Sequence, residues 1–236
     1  MYLKEGNKVY FMESSRIGVG SVLDTLLDGG LDNDVLTTVF GPAGSGKTNL
    51  CILAAIKVAL TGKKVIYVDT EGGFSAERLN QLSADHKIME NILFLKPTTF
   101  EEQRNDFEKL RNLMNDRIGL IIVDSISMLY RLELGKTENV YEVNSILGQQ
   151  LSFLSEIARK RNIPVMITNQ VYSDMAGNTG VKMVGGDMLK YSSKCLIELQ
   201  NSNTNLRKAI LRKHRALPEK EIMFRILMSE LSVENK

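Results

Sequence analysis

The chain has 236 residues, of which 43 % are hydrophobic and 25 % are charged. That length fits one large α/β domain, and that composition gives enough apolar material for a sizeable core. The formal net charge of +2 is too small to indicate polyanion binding by itself, so any nucleic-acid surface must come from local clusters of basic residues.

The chain carries no obvious targeting signal. Its first residues, Met1 to Lys8, form no apolar signal segment, and no stretch approaches the roughly 18 consecutive apolar residues that a membrane span needs. Cys51 and Cys195 lack metal-binding spacing, and each falls within a predicted helix or strand, so we interpret both as reduced core residues. These features favour a cytoplasmic protein that does not bind a membrane.

Short apolar runs alternate with longer amphipathic ones, which is typical of a parallel sheet with crossover helices. The first predicted helix covers Val19–Leu27 and ends at Gly29 and Gly30. Thr99 is the expected N-cap of a later helix, with Glu102 in the reciprocal capping position. The later predicted helices cover Lys47–Leu60, Ala76–Leu82, Phe100–Met114 and Val143–Arg159.

The predicted strands fall into two groups. Buried parallel strands are expected over Val35–Phe40, Val65–Val68, Ile92–Leu95, Leu120–Val123 and Val165–Thr168. Three further β runs, Leu196–Leu199, Ala209–Leu211 and Ile222–Leu227, predict an antiparallel meander at the end of the chain. We find no internal repeat or linker, so residues 1–236 are expected to form a single domain.

The segment 41–48 reads Gly-Pro-Ala-Gly-Ser-Gly-Lys-Thr and matches the phosphate-loop pattern G-x-x-x-x-G-K-[ST] between a strand and a helix. Its glycines let consecutive N–H groups point into one concavity, and the start of the helix adds its positive dipole. Lys47 is expected to reach the β- and γ-phosphates, and Thr48 to bind Mg²⁺. The predicted cofactors are therefore ATP and Mg²⁺. The predicted nucleotide-binding residues in this segment and directly after it are Gly41, Gly44, Ser45, Gly46, Lys47, Thr48 and Asn49.

Three polar residues follow predicted strands. In a phosphate-loop protein, an acid after an apolar strand holds the water shell of Mg²⁺, which is the role expected of Asp124. Glu71 is either a general base for the attacking water or a solvated loop acid. Gln170 is either a sensor that hydrogen-bonds the γ-phosphate or an ordinary polar strand end.

Two other segments are candidates for contacts with partners. Tyr172–Gly186 contains four glycines, which predict a mobile loop, and long loops are usually functional. The densest basic run is Arg212-Lys213-His214-Arg215. It has three possible interpretations: contact with nucleic-acid phosphates, contact with the nucleotide of a neighbouring subunit, or a solvated turn.

Several segments together resemble the RecA/RadA recombinase family, and in particular a short archaeal branch of it. The Asp-Thr-Glu-Gly and Thr-Asn-Gln-Val sequences are more specific to that family than the phosphate loop. The resemblance implies a RecA-like P-loop NTPase core with a mostly parallel central sheet, flanking helices and a C-terminal antiparallel meander. The matching segments are 18–31, 41–48, 67–74, 120–124, 167–171, 185–186 and 217–226.

The resemblance also implies residue roles. Glu71 matches the catalytic glutamate, Arg78 matches the arginine that packs against adenine, and Gln170 matches the residue that links the γ-phosphate to the second DNA loop. The first DNA loop matches Tyr130–Val140 and the second matches Tyr172–Gly186. The expected catalytic residues are Lys47, Glu71 and Gln170. The expected DNA contacts are Arg131, Lys136, Lys182, Arg212, Lys213 and Arg215.

The chain departs from the family pattern in three places. About forty residues precede the phosphate loop, so residues 1–30 are expected to be a lead-in segment without a helix-hairpin-helix DNA-binding domain. The nearest match to the family's Phe-x-x-Ala filament element ends in Ser14, and Tyr191 stands where the family often has histidine. These departures favour a monomer or small oligomer over a filament, and slow ATP hydrolysis that DNA hardly stimulates.

The resulting hypothesis is an accessory protein of homologous recombination and DNA repair. It would bind ATP-Mg²⁺ and single-stranded or branched DNA, and assist the main recombinase or other repair proteins. Two alternatives stay open at this point. One is a filament-forming strand-exchange recombinase, and the other is a KaiC-like signalling ATPase whose partners are proteins.

Overall fold

The computed structural model describes residues 2–5, 8–11, 16–83, 85–173, 181–202 and 205–234. Two predictions concern residues outside this part of the chain. Ser14 of the filament-like element and the side chain of Lys182 are not among the described groups.

Within the described ranges, a ten-stranded sheet forms the centre of the protein, in the order β14-β13-β12-β11-β5-β9-β8-β6-β7, with β10 beside β9. Neighbouring strands from β11 to β7 run parallel, whereas β10, β12, β13 and β14 pair antiparallel. The predicted mostly parallel α/β sheet with a C-terminal meander is therefore confirmed. The strands are β1 (Tyr2–Glu5), β2 (Lys8–Phe11), β3 (Arg16–Ile17), β4 (Leu31–Asp32), β5 (Leu36–Gly41), β6 (Lys64–Asp69), β7 (Ile92–Leu95), β8 (Ile118–Asp124), β9 (Val165–Ser173), β10 (Val181–Met183), β11 (Cys195–Asn201), β12 (Leu206–Lys213), β13 (Lys220–Ile226) and β14 (Leu231–Glu234).

Helices cover both faces of the sheet, and each face has its own apolar core. Alternate residues of β8 divide between the cores: Leu120 and Ile122 pack with α1–α3, whereas Ile121 and Val123 pack with α4–α7. In the described residues, no helix is both long and apolar enough to cross a membrane. The helices are α1 (Ser21–Leu26), α2 (Lys47–Leu60), α3 (Ala76–Leu82), α4 (Phe100–Leu113), α5 (Met128–Leu134), α6 (Val140–Arg161) and α7 (Asp187–Ser192), with a short 3-10 helix over His86–Asn91.

Local sequence signals explain several element ends. Gly30, which follows α1, has a φ of 112°, and a Cβ there would lie 2.0 Å from the carbonyl oxygen of Ile17, so only glycine fits. At the start of α4, the Thr99 hydroxyl accepts from the amide of Glu102, as predicted. The Glu102 carboxylate accepts from the amide and hydroxyl of Thr98, which shifts the reciprocal bond one residue outward.

The two cysteines are free and buried, as predicted. Burial raises the pKa of Cys195 to about 12 and raises that of Cys51 well above its ordinary value. Both side chains therefore remain protonated thiols at neutral pH and act as small core residues.

The structure corrects the two predicted loops and extends the meander. The first loop is helical up to Leu134, where α5 ends, and again from Val140, where α6 begins. The second loop has regular structure at both ends, because β9 continues to Ser173 and pairs with β10. A fourth meander strand, β14, was not predicted from the sequence.

A buried carboxylate ties the N-terminal strands to the turn between β12 and β13. Asp32 on β4 accepts from the guanidinium of Arg16 at 2.8 Å and from that of Arg215 at 2.9 Å. The imidazole of His214 is buried beside it, with Nε2 3.3 Å from the Asp32 carboxylate, and its Nδ1 accepts from the amides of Ala216 and Leu217. These contacts fix the turn against β4.

The same contacts predict how stability depends on pH. Burial lowers the pKa of His214 below its ordinary value of 6.5, with Asp32 partly opposing the decrease. The folded state therefore favours the neutral His214 ring. The contribution of this buried ring to the free energy of unfolding is complete above about pH 6.5 and is lost as the pH falls through the lower pKa of the folded state. Urea unfolding between about pH 7.5 and 5 is expected to show a steeper loss of stability for the wild type than for His214→Gln. Parallel pH profiles for the two proteins would contradict this assignment.

Candidate functional site

The predicted site residues converge because parallel strands end at one edge of the sheet. Gly41 at the end of β5 is the register partner of Gln170 on β9. Asp69 at the end of β6 is the partner of Asp124 at the end of β8. The strand order places these two pairs next to each other, so the loops that follow β5, β6, β8 and β9 meet around one cleft.

The glycine-rich loop of residues 41–48 has the shape of an anion site. Gly44 and Gly46 take the left-handed conformation, with φ values of 72° and 103°, and α2 begins directly afterwards. The Ser45 hydroxyl is buried with no hydrogen-bond partner among the described residues. The loop therefore offers curled backbone, a helix N-terminus and an unsatisfied polar group, which fits a phosphate chain.

The side chain of Lys47 lies against this loop. It is buried, and its Nζ donates to the carbonyl oxygens of Gly41 and Pro42, both at 2.9 Å. Burial lowers the pKa of the ammonium, while the nearby carboxylates of Glu71 and Asp124 partly offset that decrease. A lysine that is held only by neutral carbonyls can exchange them for negatively charged oxygens at little cost in hydrogen bonds.

Asp124 is a buried carboxylate beside Thr48 and is not itself among the residues that line the cleft. Its oxygens accept from the hydroxyls of Thr168 and Tyr67, and Thr48 provides a further hydroxyl contact. Burial raises the pKa of Asp124, with those three hydrogen bonds opposing the increase. A cation bound beside Asp124 would favour the ionised form of its carboxylate.

The pair Thr48 and Asp124 fits Mg²⁺ rather than a metal held by protein ligands alone. In the described part of the chain, no group of three or more His, Cys, Asp and Glu side chains could hold a metal ion. Mg²⁺ normally takes one or two protein oxygens and completes its shell with phosphates and water. One hydroxyl and one carboxylate beside a phosphate loop provide that donor set.

Glu71 is brought to the same cleft and is held by two donors. Its Oε1 accepts from the Ser125 hydroxyl and from the side-chain amide of Gln170, the latter at 2.8 Å. The turn that carries Glu71 is fixed by Asp69, whose carboxylate accepts from the amides of Gly73 and Phe74 at 3.1 and 3.2 Å. The sequence predicted Glu71 and Gln170 as site residues. It gave no role to Asp69, which lies within the Asp-Thr-Glu-Gly motif, and missed Ser125, which directly follows Asp124.

Arg78 on α3 bridges three elements. Its Nε donates to the side-chain oxygen of Asn49 on α2 at 2.7 Å. Its terminal nitrogens donate to the carbonyl oxygens of Leu227 and Met228, in the turn between β13 and β14, and to the side chain of Gln81. Hydrogen bonds to a guanidinium lie in its plane and do not occupy its faces.

The cleft has a volume of about 420 Å³ and is closed on one side by the meander. Arg207 on β12 and Ile226 on β13 contribute this wall, and neither was predicted to lie in the site. Pairing between distant strands brings them there, and short-range sequence patterns do not reveal such pairing. The lining residues are Ala43, Gly44, Gly46, Lys47, Thr48, Asn49, Glu71, Gln170, Arg207 and Ile226.

The predicted DNA residues fall into two separate groups. Arg131 is exposed on α5, where its guanidinium lies 3.7 Å from the sulfur of Met128, and Lys136 lies 4.0 Å from Glu133. The second group lies on β12 and its following turn, and each member has partners within the chain. Arg212 pairs with Glu198 and Glu219, Lys213 donates to the carbonyls of Lys190 and Ser193, and Arg215 pairs with Asp32 and Asp34.

The sheet order and the phosphate loop at the start of α2 define a P-loop protein of the RecA-like class. The chain belongs to the Rad51 family, whose model matches residues 13–233. The resemblance inferred from the sequence motifs is therefore confirmed.

Individual relatives agree with this assignment. The DNA repair and recombination protein RadB of Methanococcus maripaludis strain C7 is 44 % identical over 221 residues, which cover 91 % of this chain and 99 % of the relative. The protein of the same name from Methanococcoides burtonii is 43 % identical over 199 residues, covering 84 % and 88 %. A crystal structure of the RadB recombinase superposes with a TM-score of 0.76 at 38 % identity, covering 90 % of this chain and 96 % of the other.

The contacts of Asp69 predict the effect of removing its carboxylate. Asp69→Ala leaves two backbone amides without their acceptor, so we expect a loss of about 2–3 kcal/mol in unfolding free energy. Asp69→Asn is the matched control, because its one remaining oxygen can still accept a bond, and a smaller loss is expected. Equal stability of all three proteins in urea unfolding would show that the turn does not depend on this carboxylate.

Proposed function

We propose that this chain is an ATP- and DNA-binding accessory protein of homologous recombination and DNA repair, with weak ATPase activity and little strand-exchange activity. The observation that carries the proposal is the gathering of Lys47, Thr48, Glu71, Asp124 and Gln170 around one cleft. The names of the curated relatives support the cellular role, since they are described as DNA repair and recombination proteins.

In this proposal, the phosphate loop binds the triphosphate through its backbone amides. Lys47 exchanges the carbonyls of Gly41 and Pro42 for phosphate oxygens. Thr48 and Asp124 hold Mg²⁺, which when bound neutralises phosphate charge and orients the terminal phosphoryl group. Arg78 offers its flat face to the base, which is the role implied by the family resemblance.

Hydrolysis would use Glu71 as the group that receives a proton from the attacking water. The Ser125 and Gln170 bonds both end on its Oε1, which fixes the carboxylate at the cleft. Phosphoryl transfer in P-loop proteins usually needs a further cation near the terminal phosphate in the transition state, often supplied by a neighbouring subunit. A chain that does not polymerise into a filament lacks that cation, so we propose slow turnover.

DNA binding is proposed for the surface around α5 and the start of α6. The Gln170 amide lies 3.9 Å from the Met128 sulfur, and the Arg131 guanidinium lies 3.7 Å from the same atom, so a short chain of contacts joins the cleft to Arg131. Tyr172 and Tyr141 are 52 % and 84 % exposed, and exposed aromatic rings stack on unpaired bases. This combination favours single-stranded DNA, or branched DNA with unpaired bases.

The nucleotide part is tested by calorimetry with ATP-Mg²⁺. Lys47→Ala is expected to weaken binding by about 100-fold or more, because the buried ammonium that would pair with the phosphates is lost. Glu71→Gln is expected to keep its affinity and to lose about 10²–10⁴-fold in turnover. Lys57→Ala, an exposed lysine on the same helix, is the control and should bind like the wild type. Absence of binding heat with the folded wild type would sink the proposal.

The DNA part is tested by titrating labelled single-stranded DNA with and without ATP at two salt concentrations. Arg131→Ala and Tyr172→Ala are each expected to weaken binding by about 5- to 100-fold, since stacking contributes about 1–3 kcal/mol per base and a hydrogen bond to a charged group about 1.5–3 kcal/mol. Lys160→Ala, near the other end of α6, is the control. Long assemblies on DNA together with rapid DNA-dependent hydrolysis would indicate a filament-forming recombinase instead. Protein binding without any DNA affinity would indicate a signalling ATPase.

A further inference from the structure

The end of the β11–β12 hairpin holds the phosphate loop from the outside. Asn201 on β11 and Arg207 on β12 are register partners. The Asn201 amide donates to the carbonyl oxygen of Ala43, and the Arg207 Nε donates to that of Gly44, both at 3.3 Å. These are the two exposed residues at the apex of the loop, so the hairpin fixes their carbonyls outward.

The side chain of Arg207 is positioned by close packing on the same loop. A Cβ built on Gly46 would lie 2.8 Å from Cδ1 of Ile226 and 3.7 Å from Cδ of Arg207. Because position 46 is glycine, the stem of Arg207 and the tip of Ile226 can approach the backbone at the start of α2 closely. Arg207 therefore lies against the phosphate loop and lines the cleft.

The charge of Arg207 distinguishes it from the other arginines of the meander. Arg212 and Arg225, on the strands β12 and β13, pair with Glu198 and Glu234, and Arg215 in the turn pairs with Asp32. Among the residues that the structure describes, Arg207 donates only to the neutral carbonyl oxygens of Gly44 and Asn205. Within the described residues, it is the meander arginine whose positive charge no carboxylate balances.

From these observations we infer that Arg207 is a phosphate-binding residue, which the chain supplies to its own nucleotide site. This inference rests on the proposed ATP binding and extends it. An uncompensated guanidinium beside a phosphate loop is the natural partner of a nucleotide phosphate, and arginine binds such oxygens through two parallel hydrogen bonds. Arg207 would thus hold the nucleoside di- or triphosphate within one chain, without a cation from a neighbouring subunit.

The test measures affinities for ATP, ADP and AMP by calorimetry for the wild type, Arg207→Gln and two matched controls. Asn201→Ala removes the neutral contact from the same hairpin end, and Arg225→Gln removes the same charge from the next strand. Arg207→Gln is expected to lose about tenfold or more in affinity for ATP and ADP but to keep its affinity for AMP. Arg225→Gln is expected to change none of the three, and Asn201→Ala to change them equally and slightly.

A second measurement separates a phosphate contact from support of the loop. The ATP affinity of the wild type should fall as salt concentration rises, and Arg207→Gln should weaken this dependence, whereas Arg207→Lys and Asn201→Ala should retain it. Equal ATP affinity of Arg207→Gln and Arg225→Gln overturns the inference, and so does a loss that is the same for all three nucleotides. If Lys47→Ala loses ATP binding while Arg207→Gln does not, the proposed function stands and this inference alone fails. A wild type that binds no nucleotide defeats both.

Discussion

The site depends on the parallel register of β5, β9, β8 and β6. That register sets Gly41 opposite Gln170 and Asp69 opposite Asp124, although these residues lie far apart in sequence. Backbone hydrogen bonds of the sheet therefore position the site residues, and the side chains at neighbouring strand ends lie close enough to contact one another. The two apolar cores on either face of the sheet stabilise this register, because each strand contributes alternate residues to each core.

Sequence patterns predicted the elements that their own residues identify. The strand ending at Asp124 is apolar throughout because it is buried on both faces, and the glycine loop is recognised by its own spacing. The patterns failed where pairing depends on distant segments. The strand β9 continues through Asn169 and Gln170, whose polar side chains gave no strand signal, and β14 exists because β13 offers it an edge. Both cases are tertiary effects on weak local preferences.

The same distinction applies to the site. Lys47, Thr48 and Asp124 could be predicted because their motifs are contiguous. Lys47 and Thr48 line the cleft, and Asp124 lies buried beside Thr48. Arg207 could not be predicted, because its place depends on three antiparallel pairings at the end of the chain. Conversely, the basic run that begins at Arg212 was the strongest charge signal in the sequence, yet the structure engages its members with carboxylates and carbonyls of the same chain. Charge density along a sequence does not report which charges are already balanced in the fold.

The division of alternate strand residues between two interiors has a further consequence. A one-residue slip of β8 would exchange the side chains of both cores at once, and it would also turn the carboxylate at its end to the opposite side of the sheet. Misregistered forms are therefore penalised twice by packing before any loss of chemistry is counted. Folding fidelity and the placement of the acidic group are thus a single property of this strand.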